Sequence, residues 1–208
     1  MSDHDFLSAA TPAADALELE SFSGQEELSS PFLYTLQFLS KDRKLDFKKL
    51  MGKAVTITIV LPDKSKRYIC GLVTRFVESG YDPKHTLYVA ELRPWLWLLT
   101  LHADNRIFQN KSVPEIIEEV FSDLGLKDFK KSLKATYAKR EYCVQYQESS
   151  FDFVSRLMED EGIFYYFEHS DGKHLMVLAD DSDGYATCTG SAEVEMGLND
   201  TPNCLRDC

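Results

Sequence analysis

Ser149-Ser150-Phe151-Asp152-Phe153-Val154-Ser155-Arg156-Leu157-Met158-Glu159-Asp160-Glu161-Gly162-Ile163-Phe164-Tyr165-Tyr166-Phe167 changes its period halfway along. Ser149 to Asp152 is a box-like helix start. Phe153, Val154, Leu157 and Met158 then share one helical face, and Gly162 supplies a stop. From Ile163 to Phe167 every residue is a strand former. Asp171-Gly172 is a hairpin signal, and Leu175 to Leu178 reads as the returning strand. Upstream, Ser112-Val113-Pro114-Glu115 is a capping box with Pro in the first turn. Ile116, Ile117, Val120, Phe121 and Leu124 follow it at helical spacing, and Gly125 ends the segment. Helices that alternate with strands make this part of the chain α+β.

Earlier residues carry strand signals alone. Leu17, Leu19 and Ser21 alternate with Glu18, Glu20 and Phe22, and Phe32 to Leu39 is rich in strand formers. Val55, Ile57, Ile59 and Leu61 alternate with Thr56, Thr58 and Val60, the pattern of a half-buried strand. Pro62 to Ser65 and Gly80 to Pro83 have turn chemistry, with Tyr68 to Val77 and Thr86 to Leu92 as the strands around them. Lys48 to Gly52 reads as a short loop or helical turn. Short strands with frequent turns predict a small antiparallel β-barrel over residues 17–104, followed by an α/β domain over 105–185. Residues 1–16 read as a flexible lead-in and 186–208 as a tail or incomplete element.

The 208 residues include 23 Lys and Arg against 34 Asp and Glu, a net charge of −11. So acidic a surface repels phosphate, which argues against nucleic acid and anionic membrane as partners. No apolar stretch is long enough to span a bilayer as a helix. Met1 to Leu19 has no Lys or Arg and no continuous apolar core, so no conventional signal peptide is expected. The five cysteines, Cys70, Cys143, Cys188, Cys204 and Cys208, are odd in number and dispersed. That pattern fits a reducing compartment and free thiols, with neither a disulfide framework nor a zinc site.

Chemistry is sparse. Glu159-Asp160-Glu161 could pair carboxylates, but neighbouring helical residues point apart, and a solvated helix end accounts for them. His169 and His174 with Asp171 could suggest metal binding, but such residues spanning a hairpin are a common surface arrangement. Asp180-Asp181-Ser182-Asp183-Gly184 resembles part of a calcium loop and lacks its closing Glu. His102 reads as a strand-end residue, and neither nucleophile elbow nor phosphate-binding glycine loop occurs. No cofactor, metal or catalytic residue is expected, and a hydrolase built on Glu159–Glu161 or His169/His174 is the weakest alternative. Trp95 and Trp97 lie on one strand face or straddle a tight helical turn after Pro94. They read as core or as subunit contact, because Trp and Tyr dominate interface energetics. The candidate interface comprises Phe32, Tyr34, Trp95, Trp97 and Phe108.

Several phrases, in order, resemble one family. They are Phe22-Ser23-Gly24-Gln25-Glu26-Glu27-Leu28-Ser29-Ser30-Pro31-Phe32-Leu33-Tyr34, Leu50 to Val55, Gly71 to Phe76, Leu92-Arg93-Pro94-Trp95-Leu96-Trp97-Leu98-Leu99, Arg106 to Val113 and Arg140 to Glu148. The most specific is Phe151 to His169. Over about residues 17–185 the chain resembles the amino-terminal, phage-tail-hub-like region of VgrG proteins, the spike proteins of type VI secretion. The resemblance implies a structural part: a trimer whose tube domains form a pseudo-sixfold ring on a hexameric Hcp tube. It also implies assembly with other spike subunits, contact with an effector, a cytoplasmic life before assembly, and export through the apparatus without a leader. Full-length members continue into a second tube barrel, an oligonucleotide-binding-type domain and a β-helical needle. This chain stops before them, and after Tyr185 it looks unlike the family. A truncated hub relative acting as an adaptor or inhibitor on the tube or an effector is the alternative.

Overall fold

Two hydrophobic clusters organise the computed structural model, which describes residues 6–13 and 16–182. Half of the described residues are strand and a fifth helix. The first cluster is enclosed by β1 (Leu7–Ala10), β2 (Glu18–Gln25), β3 (Leu33–Ser40), β4 (Ala54–Val60), β5 (Lys66–Tyr81) and β6 (Thr86–Arg93). They form one antiparallel sheet in the order β1-β4-β5-β6-β3-β2. Period-two alternation selects its core. In β6, Thr86, Tyr88, Ala90 and Leu92 are buried while the residues between them are half-buried. Leu36, Phe38 and Ile57 reach the same interior from β3 and β4.

The shape comes from β5. Its first part, Lys66–Leu72, pairs with β4, and its second, Leu72–Tyr81, with β6. Register shifts at Val73/Arg75 and Glu78/Gly80 bend it, since a bulge kinks a strand and deepens its twist. The sheet therefore curls into a half-barrel. Its two edge strands, β1 and β2, approach one another but do not pair among the described residues.

Residues 7–10 correct the flexible lead-in expected over residues 1–16. They form β1, paired antiparallel with Thr56–Ile59 of β4. Leu7 and Ala9 turn toward the first cluster, and Leu17 is buried in it. The partner that makes Leu7–Ala10 a strand lies some fifty positions away, where local patterning carries no trace of it.

The second cluster gathers β7 (Ala103–Lys111), α1 (Val113–Asp123), β8 (Phe129–Ser132), β9 (Arg140–Ser149), α2 (Ser150–Glu161), β10 (Phe164–Ser170) and β11 (Lys173–Ala179). β7 and β9 form a two-stranded antiparallel ribbon. The hairpin β10–β11 extends through a parallel β11–β8 pairing into a three-stranded sheet. A 3₁₀ helix, Trp95–Leu101, gives Trp95, Leu96 and Leu99 to this cluster, which thus begins upstream of residue 105.

Both helices start and stop as their caps dictate. Ser112 N–H donates to the Glu115 carboxylate at 2.7 Å, and Ser149 Oγ accepts from Asp152 N–H at 3.0 Å. Gly162, at φ 69°, takes the left-handed turn that side chains resist. There Ile163 N–H reaches the Met158 carbonyl at 2.8 Å, closing α2 as a Schellman motif. Phe153, Val154, Leu157 and Met158 are all buried. The tail expected over residues 186–208 lies outside the described residues.

Candidate functional site

The two clusters meet where the β10–β11 hairpin lies against the half-barrel, and Phe167 packs on both. Two histidines, opposite each other in that hairpin, fasten it to different elements. β6 pairs with β5 only from Leu72 onward, so among the described residues no strand pairs with β5 at Cys70 on that side. His169 serves it instead. His169 Nδ1 lies 3.1 Å from the Cys70 N–H and 3.2 Å from the Cys70 carbonyl, and its Nε2 lies 2.8 Å from Glu26 Oε1. His174 Nε2 accepts the backbone N–H of Trp95 at 2.9 Å. The Phe32 ring stands 5.0 Å from the His169 ring and 5.6 Å from that of His174. At the hairpin turn, Gly172 N–H donates to Thr56 Oγ1 at 3.2 Å.

Electrostatics follow from this packing. Burial, helped by neighbouring His169 and only partly offset by Asp128, depresses the His174 pKa to about 4. Burial alone would raise the Glu26 carboxyl. The His169 hydrogen bond and charge, the Tyr34 hydroxyl and Arg67 outweigh it and hold that carboxyl below its usual range. Burial, and then Glu26, push the Tyr34 phenol up. Burial likewise raises the Cys70 thiol, keeping it protonated and a poor nucleophile. Beside the seam a cavity of about 300 Å³ opens between the Glu26–Ser30 loop and the Tyr166–Phe167 edge of β10. Through these contacts the two histidines fasten the hairpin to β5, to the Glu26 loop and to the backbone at Trp95.

The solvent-facing candidate is the β7–β9 ribbon. Ile107 faces Val144, Phe108 faces Cys143 and Gln109 faces Tyr142. Side chains alternate across the pleat, so Phe108, Cys143 and Gln145 turn inward and are buried. Ile107, Tyr142 and Tyr146 turn outward, 61%, 58% and 67% exposed. With half-buried Val144 between the tyrosines, they form a contiguous apolar face with two phenol groups.

Of the residues proposed from sequence as an interface, Phe32, Tyr34, Trp95 and Phe108 are buried within the chain. Phe32 and Tyr34 belong to the first cluster, and Trp95 and Phe108 to the second. Strand alternation and the 3₁₀ turn after Pro94 point them into the two clusters, and Phe32 also lines the cavity beside the Glu26–Ser30 loop. Trp97 alone remains half-exposed, with the Arg93 guanidinium 5.4 Å from its ring. Phe108 misses the outward face by one residue, since its neighbour Ile107 holds the exposed position. The signal that finds Ile107, Tyr142 and Tyr146 is the alternation in Arg106–Gln109 and Tyr142–Tyr146, readable only once both are taken as strands. Arg140 holds the carboxylates of Asp160 and Glu161, at 3.4 and 2.8 Å.

A family model described as the phage tail baseplate hub (GPD) matches residues 25–202. The chain belongs to that family. The match runs past Tyr185, where the sequence was read as departing from it. Two curated relatives come from Pseudomonas aeruginosa. Type VI secretion system spike protein VgrG1b is 47% identical over 80% of this chain and 22% of its own length. VgrG1a is 45% identical over 86% of this chain and 28% of its own length. The chain thus spans about a quarter of these relatives. Among solved structures, the Escherichia coli c3393 protein superposes with a TM-score of 0.78 at 29% identity, covering 86% of this chain and 50% of that one. It is described as a type VI secretion component with structural similarity to the T4 bacteriophage tail proteins gp27 and gp5. Within the hub family the chain is similar to the VgrG spike proteins of type VI secretion. No described helix is long and apolar enough to cross a membrane.

Proposed function

We propose that this chain is the hub segment that adapts a trimeric type VI spike to the hexameric Hcp-like tube. In this reading the half-barrel is the tube domain and the β7–β11 region the α/β domain that follows it. Three copies, with other spike subunits, complete the ring. The part is mechanical and catalyses nothing. It is made in the cytoplasm and leaves through the apparatus without a signal peptide. The single observation that carries the reading is the half-barrel itself, curled by the split pairing of β5, in a chain whose hub match covers residues 25–202. Contact surfaces in this reading are exposed ones, such as Ile107, Tyr142, Tyr146 and half-exposed Trp97, rather than the buried aromatics. With −11 charges per copy, ring closure works against repulsion that salt screens. The test is retention of purified Hcp-like hexamers on the immobilised full chain across a salt series, with chemical cross-linking. Retention that grows with salt, together with a cross-linked trimer, is expected. No retention at any ionic strength refutes the tube contact.

A further inference from the structure

The β7–β9 ribbon has two edges as well as two faces, and its pairing says where its backbone groups point. Antiparallel partners alternate between pairs that exchange both hydrogen bonds and pairs that exchange none. Ser150 N–H donates to the His102 carbonyl at 2.7 Å, which makes these two a bonded pair and turns alternate residues of β7 toward β9; the register shift between Asp104 and Arg106 puts its extra residue on β9 and leaves the alternation of β7 in step. Arg156 Nη2 donates to the Val144 carbonyl at 2.8 Å. A carbonyl open to a guanidinium marks Val144 and its partner Ile107 as a pair without mutual bonds. Both observations set the same phase. Ile107 and Gln109 turn their N–H and C=O groups away from β9, whereas the Asn105 N–H, at the register shift, is taken by Asp104 Oδ1 at 2.7 Å.

Among the described residues no other strand pairs with β7. Ile107 and Gln109 are both exposed. Edge strands are ordinarily blunted by Pro, by an outward Lys or by a covering element. The middle of β7 has no Pro, and its one cation, Arg106, is engaged by Asp123 at 2.5 Å and Glu119 at 3.4 Å. What fits such an edge is another extended backbone, because only a strand satisfies a row of alternating donors and acceptors.

We propose that the free edge of β7 receives an extended segment of a partner chain as a third strand. The occupant alternates β-branched residues with Lys. Its β-branched side chains lie beside Ile107 and continue the Val144–Ile107 row on the exposed face. Its Lys residues answer a chain of net charge −11. This surface is independent of the tube contact, and its test reads neither tube nor ring.

The probe is a fluorescent peptide of roughly eight residues alternating Val or Thr with Lys, the length of an ordinary strand. It is titrated into the full chain, and amide exchange is followed at Ile107 and Gln109. The expected result is saturable binding that slows exchange at both amides. N-methylation of alternate peptide amides weakens it by about tenfold or more, as the loss of ~1.4 kcal/mol requires. The Ile107→Lys variant, at an exposed position and folded by circular dichroism, loses at least as much. Binding that ignores N-methylation or Ile107→Lys, binding without slowed exchange, or no binding overturns the proposal. So does slow exchange in the free chain, whether relieved by dilution (a second copy on the edge) or by truncation after Ser182 (the chain's own remaining residues).

Discussion

Lowering the pH should unfasten this protein at His174 before it reaches the carboxylates. The ring is 6% exposed, and its Nε2 accepts the Trp95 N–H. Protonating that nitrogen, the ring's second proton, would break the bond and place a cation beside Phe32, His169 and Phe167. The folded pKa is about 4, against ~6.5 for an unperturbed histidine. A depressed histidine favours the folded state when neutral, so its contribution is complete above pH ~6.5 and drains as pH falls toward 4. Each unit is worth ~1.4 kcal/mol, giving a loss of about 2.5 kcal/mol by pH ~4.5 and about 3 in all. Glu26 lies below its usual range, so its own loss falls mainly below this window. His174→Gln places an amide oxygen near the Nε2 position and does not titrate. Urea denaturation midpoints between pH ~7 and ~4.5 should fall steeply in the parent and much less in the variant. Parallel curves would refute the assignment.

Three further outcomes can be measured by denaturation at neutral pH. Leu157→Ala removes a fully buried side chain from the face of α2 and should cost ~2–5 kcal/mol through lost transfer energy and a cavity. Gly24→Ala would press a methyl into the Tyr34 ring, which lies over that glycine. Because the ring is buried and cannot swing away freely, ~1–3 kcal/mol of destabilisation is expected. An unchanged midpoint would mean the ring is free to move. Ser149→Ala removes the acceptor for Asp152 N–H and should cost about 1 kcal/mol, while Ser155→Ala, whose hydroxyl is buried without a described partner, should cost less.

What could be read in advance depended on how local its cause was. The two helices were legible to the residue or nearly so, because Ser112, Ser149 and Gly162 act within one turn of themselves. The strands from β2 to β6 were legible through alternation, and the β10–β11 hairpin through Asp171-Gly172. β1 and β8 were not. Each is four residues long, and each exists because a distant strand offers its edge: β4 for Leu7–Ala10 and β11 for Phe129–Ser132. β7 and β9 went unread as strands for the same reason, and the choice of Phe108 over Ile107 came with that, since one step along a strand exchanges core for solvent. The His169–Glu26 bond joins residues 143 positions apart, and no spacing rule reaches that far.

The divided loyalties of β5 have a kinetic consequence. β2–β3 and the β4–β5–β6 meander each close between neighbours in sequence. The half-barrel is complete only when β3 meets β6, pairing residues more than forty positions apart, from Ser40 with Thr86 to Tyr34 with Leu92. Loop closure of that size is opposed by entropy before any contact rewards it. Two ribbons made early must therefore wait for one another, and the β3–β6 ladder, rather than either hairpin, sets the pace at which the first core assembles. Until it forms, Leu36 and Phe38 on one ribbon and Tyr88 and Leu92 on the other stand open to water. The interval between translation and that pairing is when this chain is most exposed to aggregation.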